Sequence, residues 1–508
     1  MRRSVKFLQT AALFIIAALK FAFWCKNAAM KFAFSCKNRQ IKLAFSCKIC
    51  YALYVNHGGV IMILKRKAYK ILKQWKEESN GSTALLIDGA RRVGKSYLAE
   101  EFAKNEYKSY ILINFSKVSK ALKDIFENDI MDLDLFFNKL SIVFGVELFN
   151  RNSLFIFDEV QRFPRAREVI KFLVEDGRYD YIETGSLISL KQNTENIVIP
   201  SEEEHIILYP LDFEEFLWAM GDTVTIPLLK KCFDSLSPLG NAVHRKIMNQ
   251  FRQYLLVGGM PQAVIEYAES KNFAKVDRIK KTILTLYRQD IIRFAKGCES
   301  KVLAIFDQIP AQLSKKEKKF SISSLGKDAK SRTYEDAFMW LTEGMITNNC
   351  YNATDPTVDL SMYLDTVSQK CYMMDTGLLV TLAFKDNSYI SNELYKSVLL
   401  DKISVNEGML MENVVAQTLK TAGHNLFFYS RNDNINRENH MEIDFLISRQ
   451  NKICPIEVKS SAYNTHSSLD KFTLKFKGKI GQPYILYSKD ILVKNGIVYL
   501  PIYMTMFL

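Results

Sequence analysis

Residues 89–96 read Gly-Ala-Arg-Arg-Val-Gly-Lys-Ser. This G-x-x-x-x-G-K-S run constrains the chain more than any other feature, because it works only between a buried strand and a helix. Gly89 and Gly94 let the backbone curl until the N–H groups of the loop, Ala90, Arg91, Arg92 and Val93 among them, point inward at phosphate oxygens. Lys95 is placed to reach β- and γ-phosphates, and the Ser96 hydroxyl to ligate Mg²⁺. The flanks satisfy the requirement. Ala84-Leu85-Leu86-Ile87 is an apolar run suited to a buried parallel strand. Ser96 to Lys104 has helical character, with Leu98 and Phe102 four apart. The expected cofactors are ATP and Mg²⁺.

A second element points the same way. Leu154-Phe155-Ile156-Phe157-Asp158-Glu159 is an apolar strand ending in two acids. Asp158 is expected to hold Mg²⁺ through water, and Glu159 to polarise the attacking water. Both roles need a carboxylate at the C-terminal edge of a parallel sheet. A further strand, Tyr179 to Glu183, runs into Thr184-Gly185-Ser186. Thr184 is a candidate γ-phosphate sensor, although Thr-Gly-Ser is also ordinary turn chemistry.

The chain has 508 residues and a formal charge of +14, which invites a nucleic-acid partner. The charge is unevenly spread. Residues 1–61 hold ten Lys and Arg and no Asp or Glu, so the remaining 447 residues carry only +4. The same segment contains three near-identical units of period 11, beginning at Leu19, Met30 and Ile41. Three readings compete: a signal or membrane anchor built on Ala11 to Leu19, an amphipathic repeat that binds anionic lipid, and a translated DNA repeat upstream of a true start at Met62. The last is favoured, which makes a membrane partner unexpected unless residues 1–61 are real. Four of nine cysteines lie in this segment, and the other five are scattered without metal-ligand spacing. They read as free thiols of a cytoplasmic protein.

Along the rest of the chain, residues 62–216 alternate helix and strand, and Tyr110 to Phe115 is one more strand. Residues 217–300 read as a helical lid broken at Gly258-Gly259-Met260-Pro261. Residues 301–385 suit a winged-helix unit: helix, Ser-capped helix near Ser321, third helix at Tyr334 to Leu341, then a β-wing. A basic run, Lys315 to Lys319, precedes the second of these and reads as a phosphate contact or a solvated loop. Asp386 to Ile403 reads as linker, and 404–508 as a second α/β domain.

That last domain carries its own chemistry. Glu457 and Lys459 are two apart on a strand and share a face. A hairpin can bring Asp444, on the preceding strand, beside Glu457. Two carboxylates and an amine on one sheet face suit metal-assisted phosphodiester cleavage. Asp444 and Glu457 would hold Mg²⁺, and Lys459 would orient water. This D…E-x-K layout resembles the PD-(D/E)xK nuclease fold, and Glu412, on a helix from Val405 to Thr421, sits where that resemblance implies another acid. The bland alternative is alternating charge on an edge strand.

Together these residues resemble a known prokaryotic family: AAA-type ATPases with a C-terminal restriction-endonuclease-like domain, largely uncharacterised. The matching stretches are Asp88 to Ser96, Phe157 to Gln161, Thr184 to Ser186, Pro210 to Phe216, Tyr254 to Pro261, Tyr372 to Leu378 and Glu457 to Ser460. The resemblance starts near Met62. It implies an α/β chain in which a P-loop NTPase parallel sheet is followed by a helical lid and winged-helix unit, then a smaller restriction-endonuclease-like domain. One departure stands out. Many members carry a Gly-Arg pair before the Pro-Leu-x-Phe stretch, an arginine-finger candidate. This chain offers Glu202, Glu203, Glu204 and His205 there. Arg162 and Arg165 are the substitutes at hand. The expected function is an Mg-dependent ATPase coupled to DNA or RNA processing, able to form a homo-oligomer. The alternative is an ATP-dependent switch or remodeller whose C-terminal domain only recognises a partner.

Overall fold

The protein is described from a computed structural model. It covers residues 64–187, 201–384, 407–431 and 440–508, apart from 316, 328, 357–358, 461–462 and 464, together with the backbone of short strands within 31–61. The linker expected at Asp386 to Ile403 lies outside the described residues. Two compact units divide the chain, Met1–Leu64 and Lys65–Leu508. In the first, Lys31–Lys37 pairs antiparallel with Gln40–Ser46, so the second and third repeat copies face each other, Lys31 opposite Ser46.

The second unit begins with a five-stranded parallel sheet. Its strands are β1 (Ala84–Asp88), β2 (Ser109–Asn114), β3 (Ser153–Asp158), β4 (Asp180–Thr184) and β5 (Glu203–Ile207). They lie in the order β2-β3-β4-β1-β5. β1, β3 and β4 are buried along their whole length. β1 and β3 are the near-continuous apolar runs of a parallel sheet covered on both faces, whereas β4 also buries Asp180, Glu183 and Thr184. Phe115, Phe126, Phe136, Phe155 and Phe157 fill one face. Edge-to-face contacts such as Phe126 on Phe136, centroids 5.2 Å apart, lock them. The helix α1 (Lys95–Glu106) starts where Gly94 adopts φ 97°, and it buries Leu98, Ala99, Phe102 and Ala103 on the sheet.

Helices follow. Asp212 and Glu215 form a capping box on Phe213–Ala219. Then come α2 (Asn241–Val257), α3 (Pro261–Ser270), α4 (Phe273–Phe294), α5 (Glu299–Leu313) and α6 (Ser331–Glu343). The break between α2 and α3 falls at Gly258, where φ is 80°, and Pro261 opens α3 at the position its fixed φ favours. The Ser-capped helix expected after Ser321 is one 3₁₀ turn, Ile322–Leu325.

The largest difference from expectation concerns the hairpin read as a wing. Its strands, β6 (Thr347–Ala353) and β7 (Leu364–Met373), are the first two of an eight-stranded mixed sheet. The remaining strands are β8 (Phe427–Arg431), β9 (Met441–Arg449), β10 (Lys452–Lys459), β11 (Tyr484–Tyr487), β12 (Leu492–Lys494) and β13 (Ile497–Pro501), in the order β7-β6-β8-β9-β10-β11-β13-β12. The join is a parallel pairing of Tyr351 with Phe427 and Asn352 with Phe428. Residues read as two domains therefore share one ladder. Between β7 and β8 lie α7 (Thr376–Ala383) and α8 (Glu407–Thr421). Among the described residues no helix is long and apolar enough to cross a membrane, and Cys232, Cys298, Cys350, Cys371 and Cys454 are free thiols.

Candidate functional site

The first site forms where β1, β3 and β4 end. β4 lies between β1 and β3, so Thr184 sits between the loop 89–96 and Asp158. The Ser96 hydroxyl donates to Asp158 Oδ1 at 2.7 Å and the Thr184 hydroxyl to the same oxygen at 2.5 Å. Asn114, at the end of β2, donates its amide to Asp158 Oδ2 at 2.6 Å. Asp158 is thus oriented through both oxygens by two neighbouring strands and a helix start. Asn114 was not singled out from the sequence. Its only signal was a polar residue closing an apolar strand beside the one ending in Asp158.

The loop has the close packing that glycine permits. A Cβ on Gly89 would lie 2.4 Å from the Leu208 carbonyl oxygen, and φ there is 152°. Lys95 is buried, and its ammonium donates to the carbonyls of Gly89 at 2.6 Å and Ala90 at 2.8 Å. Burial pulls its pKa down to about 8, against the opposing pull of Asp88, Glu159 and Asp158. A desolvated cation at the first position of a helix suits a polyphosphate. Ser96 and Asp158 supply hard oxygen donors to a small divalent cation. Glu159 follows at φ 58°, a left-handed conformation that is strained for a glutamate, and accepts from Gln161 Nε2 at 2.8 Å.

Residues outside the motifs hold this loop. Arg66 is buried and donates to the Val93 carbonyl at 2.8 Å, to the Tyr209 carbonyl at 2.6 Å and to Glu215 at 3.1 Å. On the other flank Arg91 pairs with Asp290 of α4 at 2.7 Å, and the Tyr287 hydroxyl donates to the Arg91 carbonyl at 2.9 Å. The two finger candidates have other contacts: Arg165 pairs with Glu168 at 2.9 Å, and Arg162 lies 5.4 Å over the Phe294 ring.

The second site forms on β9 and β10. Phe445 opposes Ile456, which brings Asp444 beside Glu457. Asp444 Oδ2 accepts from the Val458 amide at 2.9 Å, and Lys459 Nζ lies 2.8 Å from Glu457 Oε2. Glu412 of α8 joins them: its neighbours include the Tyr372 hydroxyl at 3.0 Å. The expected residues therefore do come together. What sequence reading missed is Lys370. This lysine of β7, 1% exposed, lies 3.0 Å from Glu442, 3.5 Å from Asp444 and 3.8 Å from Glu412. Burial alone would lower its pKa, but Glu412, Asp444 and Glu442 outweigh that and raise it, so it is a fixed cation. Lys318, from the basic run expected to meet phosphate or solvent, pairs with Glu412. Burial, then Asp444, pushes Glu412 upward, while Lys370 and Lys318 pull it back. Sequence reading put a metal ion between Asp444 and Glu457. In the structure Asp444 faces Lys370 at 3.5 Å and Glu457 faces Lys459 at 2.8 Å. The signal available in the sequence was a lone lysine inside Gln369-Lys370-Cys371-Tyr372-Met373.

Comparison with known proteins bears on both halves. Residues 81–217 match the family model described as an AAA domain. This region is an AAA-type P-loop ATPase domain. Residues 248–389 and 407–504 match two domains of unknown function, DUF8612 and DUF4143. An uncharacterized protein of Methanocaldococcus jannaschii is 24% identical over 212 residues, covering 40% of this chain and 42% of that protein. The chain thus spans under half the length of that relative. Among solved structures, a Walker-type ATPase of Pyrococcus abyssi is 15% identical, covers 63% of this chain and 96% of its own, and has a TM-score of 0.38. The Orc1 protein of Aeropyrum pernix, solved in complex with DNA, is 10% identical over 64% of this chain and 94% of its own, with a TM-score of 0.24.

Proposed function

We propose that the protein is an Mg²⁺-dependent ATPase that works as a switch, and that its C-terminal module recognises a partner without cutting it. The observation that carries the first half is the convergence of Ser96, Thr184 and Asn114 on Asp158 beside Lys95. Lys95 holds the β- and γ-phosphates. Ser96 and Asp158 hold Mg²⁺, which when bound neutralises charge developing on the phosphates. Glu159 accepts a proton from the attacking water, and Thr184 senses the terminal phosphate through the same Asp158. The test is ATP binding and turnover by wild type and Lys95→Ala. Equal binding by the two would reject this reading.

Lys370 supports the second half. Two neighbouring carboxylates call for a cation. Here Lys370 stands beside Asp444, Glu442 and Glu412, Lys318 beside Glu412 and Lys459 beside Glu457, so ammonium groups of the chain itself face each carboxylate. A second reading, nuclease action on DNA or RNA, is favoured by the meeting of Asp444, Glu457 and Lys459. Incubation with single- and double-stranded DNA and RNA in Mn²⁺ separates the two. Recognition predicts no cleavage and no calorimetric Mn²⁺ binding by wild type. Cleavage that Asp444→Ala abolishes would establish the nuclease.

A further inference from the structure

Two stretches that the ATPase chemistry leaves unused, Tyr254 to Pro261 and Tyr372 to Leu378, dock on each other. The contact is backbone on backbone. A Cβ on Gly377 would lie 2.5 Å from the Gly258 nitrogen, and one on Gly258 would lie 2.3 Å from Asp375 Oδ1. A Cβ on Gly259 would lie 2.0 Å from the Leu211 carbonyl oxygen. All three glycines are therefore required by close approach. Asp375 is fully buried and divides its carboxylate. Oδ2 accepts from the Gly259 amide at 2.6 Å, and Oδ1 caps α7 through the Leu378 amide at 2.8 Å.

The bend that Asp375 grips reaches the nucleotide loop by three routes. Gly259 O accepts from the Leu211 amide at 2.7 Å, in the segment that follows β5 and carries the Tyr209 carbonyl held by Arg66. Pro261, two residues beyond, stands against Gly94, with its ring 3.6 Å from where a Cβ there would be. In α4, Lys280 donates to Leu256 O at 2.6 Å and Gly377 O at 3.1 Å, and further along the same helix Tyr287 and Asp290 hold Arg91. From the other side the bend reaches the C-terminal module. The Tyr254 hydroxyl donates to Leu211 O at 2.9 Å and accepts from Gln417 Nε2 at 2.8 Å. Gln417 Oε1 accepts both the amide and the hydroxyl of Thr376 at 2.9 Å. Asn413, one turn earlier on α8, bonds Met373 and Thr376, and its neighbour Glu412 belongs to the carboxylate–lysine cluster.

We infer that Asp375 is a positioning residue for the nucleotide site: it fixes the Gly258–Gly259 bend that braces the P-loop, and through the bend it ties nucleotide occupancy to α7 and α8. The inference rests on the ATP reading above. A binding change at one end of this buried network must be matched at the other, because coupling free energies are reciprocal.

The test uses the full chain and three variants: Asp375→Asn, Tyr254→Phe and, as control, Lys95→Ala. Asp375→Asn keeps the volume but removes the charge that accepts both amides. Tyr254→Phe removes a single hydroxyl. Both are expected to raise KM for ATP about tenfold or more, with a smaller change in kcat, because the lost bonds position the loop and not the water. In wild type, MgATP is expected to slow amide exchange across 376–383 and 413–419, and Asp375→Asn to abolish that slowing. A purely structural Asp375 would lower the melting temperature and leave KM alone. Wild-type KM in both variants, or exchange in 376–383 and 413–419 that ignores MgATP, overturns the inference. ATP binding that survives Lys95→Ala would instead sink the nucleotide reading, so the two failures are distinct.

Discussion

Arg66 and Glu215, both buried, meet at 3.1 Å while the same guanidinium holds the Val93 carbonyl inside the P-loop. Removing one member of a buried pair strands the other, at a cost of about 3–5 kcal/mol. Arg66→Ala should lower stability by that amount and raise KM for ATP, since Val93 loses its brace. The double variant Arg66→Met, Glu215→Met should be more stable than Arg66→Ala, fall short of wild type by the lost capping box, and recover none of the affinity. Denaturant titration with ATP kinetics checks both. Recovery of KM in the double variant would show that Val93 needs no brace.

Lys95 gives the free protein a titration near physiological pH. Its pKa is about 8 because of burial, and bound phosphate would raise it. ATP affinity should be level below pH 8 and fall roughly tenfold per pH unit above it, with proton uptake on binding. The stability sign is opposite. The unfolded lysine titrates near 10.4, so between pH 8 and that value the unfolded chain binds more protons, and this site's contribution to stability rises with pH. Calorimetry in two buffers of different ionisation enthalpy measures the uptake. A pH-independent Kd from 7 to 9.5 would contradict the buried-ammonium account.

Glu159→Gln should keep ATP affinity within about twofold and lower kcat by about 10²–10⁴, the usual worth of a positioned base. Single-turnover kinetics separates the two effects. Unchanged turnover would move the base to another residue.

Glu183 and Glu203 form a buried pair beside Arg167. Burial above all, then Glu203, raises Glu183 well above its ordinary value, against the pull of Arg167. Glu203 is drawn down to about 2 by His205, Glu183 and Arg167, which together outweigh its burial. Because the folded value is raised, Glu183 costs stability as pH rises above its unfolded pKa. Glu183→Gln should remove that slope and be neutral or stabilising at pH 7. Glu203→Gln should cost about 3–5 kcal/mol by leaving Arg167 buried and unpaired. Equal stabilities for the two variants would refute this difference between the two carboxylates.

The nucleotide site was legible from sequence because its elements are local. Eight contiguous residues make the loop, and the flanking apolar runs announce strand and helix. The C-terminal grouping was legible for a related reason, since strand alternation and one hairpin suffice to join Asp444, Glu457 and Lys459. What escaped was long-range. Lys370 is 74 residues from Asp444 in the chain. Arg66 is 149 from Glu215. Asp375 is 116 from Gly259. No periodicity encodes such pairs. The wing was misread because a hairpin's own pattern does not say whether its outer edge stays open or accepts another strand.

That shared ladder limits how the chain can be divided. Cutting it between residues 389 and 407, where the two regions of unknown function part, would leave β8 without the strand that pairs with Phe427 and Phe428. Each fragment would present unpaired backbone amides and carbonyls along a fresh edge, the usual template for aggregation. A fragment meant to keep the whole ladder must therefore begin upstream of Thr347.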